Sequence, residues 1–294
     1  MGDLAIDLAI RYQIGTARGN SSVLGAMDIQ REEFFATFGK SINDLLLSHR
    51  KDLKRKQECA ARAAGNAVPE NFMTAQSEFN PKARWVDSTP EYSFHICGLR
   101  KLFPEALFIH IVRDVTSVVR SMLNFHRVGG ASLVTNEQEA YNYWFRAVSS
   151  CLLAERAYGP RVIFRLRYSD FVNAPEVALR SLLNFLGEPY AAECLTPLQK
   201  RINSSNVPAD FKADDPATDP AIVARARQLS DELESLPQQC EASHTVAKKL
   251  EAEFNQQVEY FGDLGTKYSE AQTLITKLQK ECDAFSASTR VETG

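Results

Sequence analysis

The chain has 294 residues, 44% of them hydrophobic and 24% charged, enough to build a sizeable packed core. Its net charge of −3 argues against a general nucleic-acid binder. Its six cysteines are widely separated and form no Cys-x-x-Cys pair, so neither a zinc site nor a disulfide framework is suggested, and reduced thiols in a cytoplasmic protein are expected. The start, Met-Gly-Asp-Leu-Ala-Ile-Asp, lacks the basic and long apolar regions of a signal peptide, and no apolar stretch is long enough to span a bilayer.

In chain order, Ala9–Ile14 alternates weakly and predicts a first strand ending at Gly15. The segment that follows, Gly15-Thr16-Ala17-Arg18-Gly19-Asn20-Ser21-Ser22-Val23-Leu24, is built to receive an anion. Small residues let a backbone wrap a phosphate, free N–H groups at a helix start point at it, and an arginine offers a fork of donors. A plain Gly/Ser turn capping a helix is the competing reading. Ile29–Leu53 predicts a long amphipathic helix carrying Glu32 and Glu33 near its start. Arg84–Val86 predicts a short strand ending in Asp87-Ser88-Thr89-Pro90.

Residues 106–125 are the most informative. Ala106–Val112 is strongly apolar, as expected of a strand covered on both faces. The chain then turns at Arg113-Asp114 and continues as a helix with apolar Val115, Val118, Val119, Met122 and Leu123. Strand, turn and helix in that order put polar side chains at the carboxyl edge of a parallel sheet, where α/β proteins bind ligands. Glu137–Ala157 predicts a helix with Tyr141, Trp144, Val148, Cys151 and Leu152 on one face, Arg161–Leu166 a strand, and Pro175–Leu186 a helix capped by Asn173. Alternating strands and helices predict an α/β fold, a mostly parallel sheet flanked by helices.

From Asn203 to Pro220 the composition becomes linker-like. Beyond it, apolar residues recur in 4-3 spacing from Ile222 to Phe285, with only Ser243 and Gln257 clearly polar at those positions. This predicts a C-terminal coiled coil that would serve as a homo-oligomer interface through residues 222–285. Helices folding back on each other or on the main domain are the alternative. Pro237 should break or kink the pattern, and Gly262 and Gly265 weaken it. The expected organisation is an α/β domain at 1–205, a linker at 206–221, a helical extension at 222–286 and a disordered tail at 287–294.

Taken together, these motifs resemble the sulfotransferases that use 3′-phosphoadenosine 5′-phosphosulfate, over about residues 8–205. In that family a loop of the type Gly-x-x-Arg-Ser-Gly-Thr-Thr-x-Leu cradles the 5′-phosphosulfate, and Gly15, Arg18, Ser21, Ser22 and Leu24 fit the frame. A later Arg and a Ser eight residues on hold the 3′-phosphate; here these are Arg113 and Ser121. Arg84-Trp85-Val86-Asp87-Ser88-Thr89-Pro90 is similar to the family's Lys-Thr-Pro strand end, and Leu102-Phe103-Pro104 precedes the 3′-phosphate strand as it commonly does there. Arg167-Tyr168-Ser169-Asp170-Phe171 with Phe185-Leu186-Gly187 is similar to its Tyr-Glu-Asp-Leu … Phe-Leu-Gly segment.

The resemblance implies sulfuryl transfer to a hydroxyl or amine of a carbohydrate, lipid or small metabolite, with no metal. It implies that Gly15, Arg18, Gly19, Asn20, Ser21 and Ser22 take the 5′ end of the cofactor, that Arg113 and Ser121 take the 3′ end, and that Arg201 stands nearest to the family's late Arg-Lys-Gly loop. Three departures stand out: Gly19-Asn20 replaces Ser-Gly, Ser88 sits where many relatives carry Lys or His, and the late loop is not visible. Arg18, Asp87 and Glu32 are the catalytic candidates. Asp87 is a base only if its pKa is raised, and otherwise caps its turn. His95 reads as a helix-face residue, His110 as a packed core histidine, His126 as a weaker candidate facing the acceptor cleft, and Trp144 as a core anchor. A non-catalytic relative acting as an oligomeric scaffold is the second reading. A P-loop kinase is disfavoured, because no Gly-Lys-Ser/Thr closes the loop.

Overall fold

The structure, a computed structural model, describes residues 1–49, 55, 59, 84–125, 132–199, 207–236 and 241–292, with backbone alone from 283 onward. Its elements run α1 (Gly2–Ala17), α2 (Val23–Ala26), α3 (Arg31–His49), α4 (Ile96–Leu102), β1 (Phe108–Val112), α5 (Val115–Leu123), α6 (Glu137–Tyr158), β2 (Ile163–Arg167), α7 (Tyr168–Asn173), α8 (Pro175–Leu186), α9 (Pro220–Ser235) and α10 (His244–Glu292). Short 3-10 turns cover Gly19–Ser21, Pro90–Phe94 and Ala192–Gln199.

Among the described residues the sheet is two parallel strands in the register Phe108↔Ile163 to Val112↔Arg167. A parallel pair needs a long crossover, and α5 and α6 supply it. One face of the sheet is packed, with His110, Val112, Ile163 and Arg165 all buried. The other face is covered only in part, short of what the apolar run predicts: Leu166 is buried there, but its partner Ile111 is 61% exposed. α5 and α6 match the expected helices closely, and Trp144 is a buried core residue as read from the sequence. Gly187 closes α8 in the left-handed conformation (φ 67°) that glycine adopts without strain. The cap at the start of α8 is Ala174 rather than Asn173, with no side-chain hydrogen bond.

Two predicted strands are absent. Ala9–Ile14 lies inside α1. The alternation there is a truncated view of a helical stripe that begins earlier: Gly2, Ala5, Ile6 and Ala9 recur at three- and four-residue spacing and are buried. No Gly or Pro interrupts the helix between Asp3 and Ile14. Arg84–Val86 forms no regular element. It is tied instead by side chains, with Trp85 Nε1 donating to Asn43 Oδ1 at 3.0 Å and Arg84 Nη1 to the Leu186 carbonyl at 2.5 Å.

The C-terminal helices are not a separate extension along their whole length. Ala226 and Leu233 of α9 are fully buried in a core shared with Val112, Val119, Tyr141 and Trp144. Leu250 of α10 packs with Ile96, Cys151 and Ile163. Phe254 and Val258 pack with Ala5, Ile6, Phe35 and Leu102. Close approach of α3 to the end of α4 requires Gly39, where any Cβ would sit 1.7 Å from the Leu102 carbonyl oxygen. Beyond Val258 the helix leaves this core, and Tyr260, Leu264, Tyr268, Leu274, Ile275 and Leu278 are each 48–65% exposed. The alternative reading of the heptads, a helix folded back on the domain, therefore describes α9 and the first third of α10.

Candidate active site

The carboxyl ends of β1 and β2 carry the polar residues that the strand–turn–helix pattern predicts. Because Val112 pairs with Arg167, the next residues, Arg113 and Tyr168, emerge side by side. The Arg113 guanidinium lies over the Tyr168 ring, 4.7 Å from its centroid, a cation–π contact on an exposed edge. Asp114 caps α5, its carboxylate accepting from Thr116 N at 3.0 Å and Ser117 N at 3.2 Å. That leaves Arg113 as the cation of the turn and Asp114 as its structural half. Ser121 lies two turns along α5 and is half-buried.

Helix α9 closes one side of this edge. The Val115 N–H, in the first turn of α5, donates to Ser230 Oγ at 3.3 Å. Arg167 donates to the carbonyls of Leu233 at 3.2 Å and Leu236 at 2.6 Å, capping the carboxyl end of α9 with positive charge. Sequence reasoning missed Tyr168 as the partner of Arg113 and Ser230 as a partner of α5. The strand register could have found the first; nothing local marks the second.

The segment meant for the 5′ end of the cofactor has a different geometry from the expected strand–loop–helix. It is the end of α1, a 3-10 turn and the start of α2. Three of its backbone donors are engaged within the turn: Arg18 N to Gly15 O, Ser21 N to Arg18 O and Ser22 N to Gly19 O, at 3.1–3.2 Å. Ser22 Oγ donates to Gly15 O at 2.5 Å and accepts from Gly25 N at 3.1 Å, which makes it the cap of α2. Gly19 takes a positive φ of 51°, and Gly25 lies so close to it that a Cβ would meet the Gly19 oxygen at 2.3 Å. The side chains of Arg18, Asn20 and Ser21 are exposed on this turn. The N–H groups of Arg18, Ser21 and Ser22 are therefore turned to the segment's own carbonyls, whereas Arg113 stands on the sheet edge with its guanidinium presented.

Asp87 accepts from Thr89 N at 3.0 Å, Thr89 Oγ1 at 2.7 Å and Tyr92 OH at 2.8 Å. Burial alone would raise its pKa, but these hydrogen bonds together hold it below the ordinary aspartate value. The raised pKa that would make it a strong base is not what its surroundings produce; it caps its turn. Glu32 and Glu33 are exposed in the first turn of α3. His95 starts α4, and burial lowers its pKa. His126 and Arg201 lie outside the described residues.

Beneath the edge runs a buried ionic network. His110 Nδ1 is 2.5 Å from Glu155 Oε1, and Arg165 donates to both oxygens of the same carboxylate. Burial opposes the His110 charge, but hydrogen bonds to Cys151 and Glu155 win and push its pKa up to about 9. Burial would raise the pKa of Glu155, but His110 and Arg165 together hold it below the ordinary glutamate value. His110 is thus the core residue it was read to be, fastening β1 to α6 and β2 below the site.

The sequence model of the sulfotransferase family matches residues 24–192, more than half of the chain. The chain belongs to the sulfotransferase family. The match takes in Asp87, Arg113, Ser121 and Tyr168 and begins after the Gly15–Ser22 turn. Over 147 residues the chain is 29% identical to the omega-hydroxy-beta-dihydromenaquinone-9 sulfotransferase Stf3 of Mycobacterium bovis, and equally to that of Mycobacterium tuberculosis. Each alignment takes in 47% of this chain and 36% of the relative, so the chain spans about a third of the length of the curated relatives it matches. A solved structure, the sulfotransferase domain from the curacin biosynthetic pathway, is similar over 57% of this chain and 61% of its own, at 20% identity and a TM-score of 0.33. Among the described residues no helix is long and apolar enough to cross a membrane.

Proposed function

We propose that this sulfotransferase moves a sulfuryl group from 3′-phosphoadenosine 5′-phosphosulfate to a hydroxyl acceptor on a lipid, carbohydrate or small metabolite. The observation that carries the reading is Arg113, stacked on Tyr168 at the carboxyl edge of β1–β2, inside the segment that matches the family. The omega-hydroxy group in the name of Stf3 favours a hydroxyl acceptor over an amine.

In this reading Arg113 and Ser121 hold the 3′-phosphate, which distinguishes this nucleotide from ATP. A guanidinium suits that role because it is always charged and donates in a planar fork. Tyr168 keeps the fork at the edge without consuming its donors. Arg18, with the Asn20 and Ser21 side chains, takes the 5′ end, and Gly15, Gly19 and Ser22 shape the turn that carries them. Bound there, the nucleotide supplies the sulfuryl group on a phosphate leaving group. As in phosphoryl transfer, the protein's part is positioning and neutralisation of charge. Three hydrogen bonds hold Asp87 to its own turn, and Glu32 is the carboxylate we assign to the acceptor proton.

Thermal-shift titration tests the cofactor assignment. Adenosine 3′,5′-bisphosphate at about 100 times its dissociation constant should stabilise the fold by roughly 2.7 kcal/mol, and ATP at the same concentration by far less. Equal shifts with both, or none with the bisphosphate, would reject it. Transfer of labelled sulfate from the nucleotide to pooled hydroxyl acceptors tests turnover.

A further inference from the structure

Helix α10 is 49 residues long, ~74 Å at 1.5 Å per residue, and uses only its first third on the domain. The residues it buries there, Leu250, Phe254 and Val258, lie on one stripe. The same stripe continues past the domain surface as a heptad seam. Phe261, Tyr268, Ile275 and Cys282 occupy its first core position, and Leu264, Ala271 and Leu278 its second. Tyr260 and Leu274, on the flank beside the first core position, widen it. Each large residue of this set is 45–65% exposed. A row of aromatic and branched side chains on one face of a solvent-surrounded helix marks a surface that is meant to be covered.

We propose that residues 260–282 of α10 pair antiparallel with the same segment of a second copy of this chain. The flanking charges select both the occupant and the direction. Along the flank beside the first core position stand Tyr260, Lys267, Leu274 and Glu281. In an antiparallel pair this flank meets itself, so with Leu274 opposite Leu274, Lys267 of each copy faces Glu281 of the other. The same register stacks Tyr268 on Leu278, Leu264 on Cys282 and small Ala271 on Ile275, each layer occurring twice by the two-fold symmetry. In a parallel pair the same flank meets the other one, made of Gly265, Gln272 and Gln279, and no ion pair forms.

Sedimentation of the full chain over a range of concentrations is the first measurement. A monomer–dimer equilibrium is expected, and a monomer at every concentration overturns the proposal. Charge reversal then tests the register on exposed positions that do not contribute to the core. Lys267→Glu and Glu281→Lys should each weaken the dimer about tenfold at low salt. The double variant should restore it, and the two single variants mixed together should prefer each other. Dimerisation indifferent to all of these overturns the register. Leu264→Cys gives the direction: mild oxidation should join the introduced thiol to Cys282 of the other copy, mapped by peptide analysis. A Cys282–Cys282 crosslink as the main product shows a parallel pair and rejects the arrangement.

Discussion

Arg113 and Tyr168 leave paired strands at the same level, and the guanidinium comes to rest 4.7 Å from the centre of the ring. The stack holds a long, flexible cation over the carboxyl edge of the sheet. Arg113→Ala should lower affinity for adenosine 3′,5′-bisphosphate by about 10- to 100-fold, as expected for losing hydrogen bonds to a charged group. Affinity for adenosine 5′-monophosphate should hardly change. Tyr168→Leu should cost only about two- to fivefold, the worth of an exposed cation–π contact. Calorimetric titration of the three proteins with both nucleotides separates these outcomes.

The His110–Glu155–Arg165 network makes stability depend on pH. His110 has a folded pKa of about 9, above its unfolded value. Its contribution is therefore complete below about pH 6.5 and is lost as pH rises through 9. Thermal denaturation should show a falling midpoint across that window. In His110→Phe that slope should flatten. Glu155→Gln should destabilise by about 3–5 kcal/mol, because it strands two buried cations.

Asp87 gives the opposite sign. Its folded pKa is lowered, so the stability it contributes is present above the ordinary aspartate range and is lost as pH falls through the folded value. Asp87→Ala should cost about 1 kcal/mol through its turn, an exposed-site value for hydrogen bonds to a carboxylate. Binding of the bisphosphate should survive the change. A variant that binds normally, folds normally and shows no turnover would instead assign Asp87 to the chemistry.

The two parts of the C-terminal region should respond differently to the same substitution. Leu233 is fully buried beside Trp144, and Leu233→Ala should cost about 2–5 kcal/mol of unfolding free energy. Leu274 is 56% exposed, and Leu274→Ala in dilute monomer should fall within about 0.5 kcal/mol. Chemical denaturation of both variants at low concentration makes the comparison.

How far the sequence could be read depended on where each signal is stored. The strand–turn–helix around Arg113 was legible because an apolar run, a capping aspartate and a helical stripe follow one another within twenty residues. The α6 helix and the strand after it were legible for the same reason. Ala9–Ile14 misled because six residues of alternation are too few to separate a strand from a helix whose stripe begins at Gly2. The Gly15–Leu24 segment keeps the family-like spacing, but spacing does not say where backbone donors point. Only the folded turn shows Arg18, Ser21 and Ser22 spending their N–H groups on neighbouring carbonyls.

The 4-3 pattern carried the least ambiguous periodicity and the most ambiguous meaning. By itself the sequence determined that 222–285 would carry one apolar helical face, since the period alone sets which residues share a face. It did not determine against what. Tertiary structure decided that Ala226, Leu233, Leu250, Phe254 and Val258 are buried against the domain and that the seam from Tyr260 onward is not. The physical reason is geometric: a straight helix follows a curved domain surface only for a few turns, and past that point the same apolar spacing faces water. The sequence likewise determined an Arg and a Ser eight residues apart, whereas strand pairing, a long-range contact, placed Tyr168 beneath the arginine.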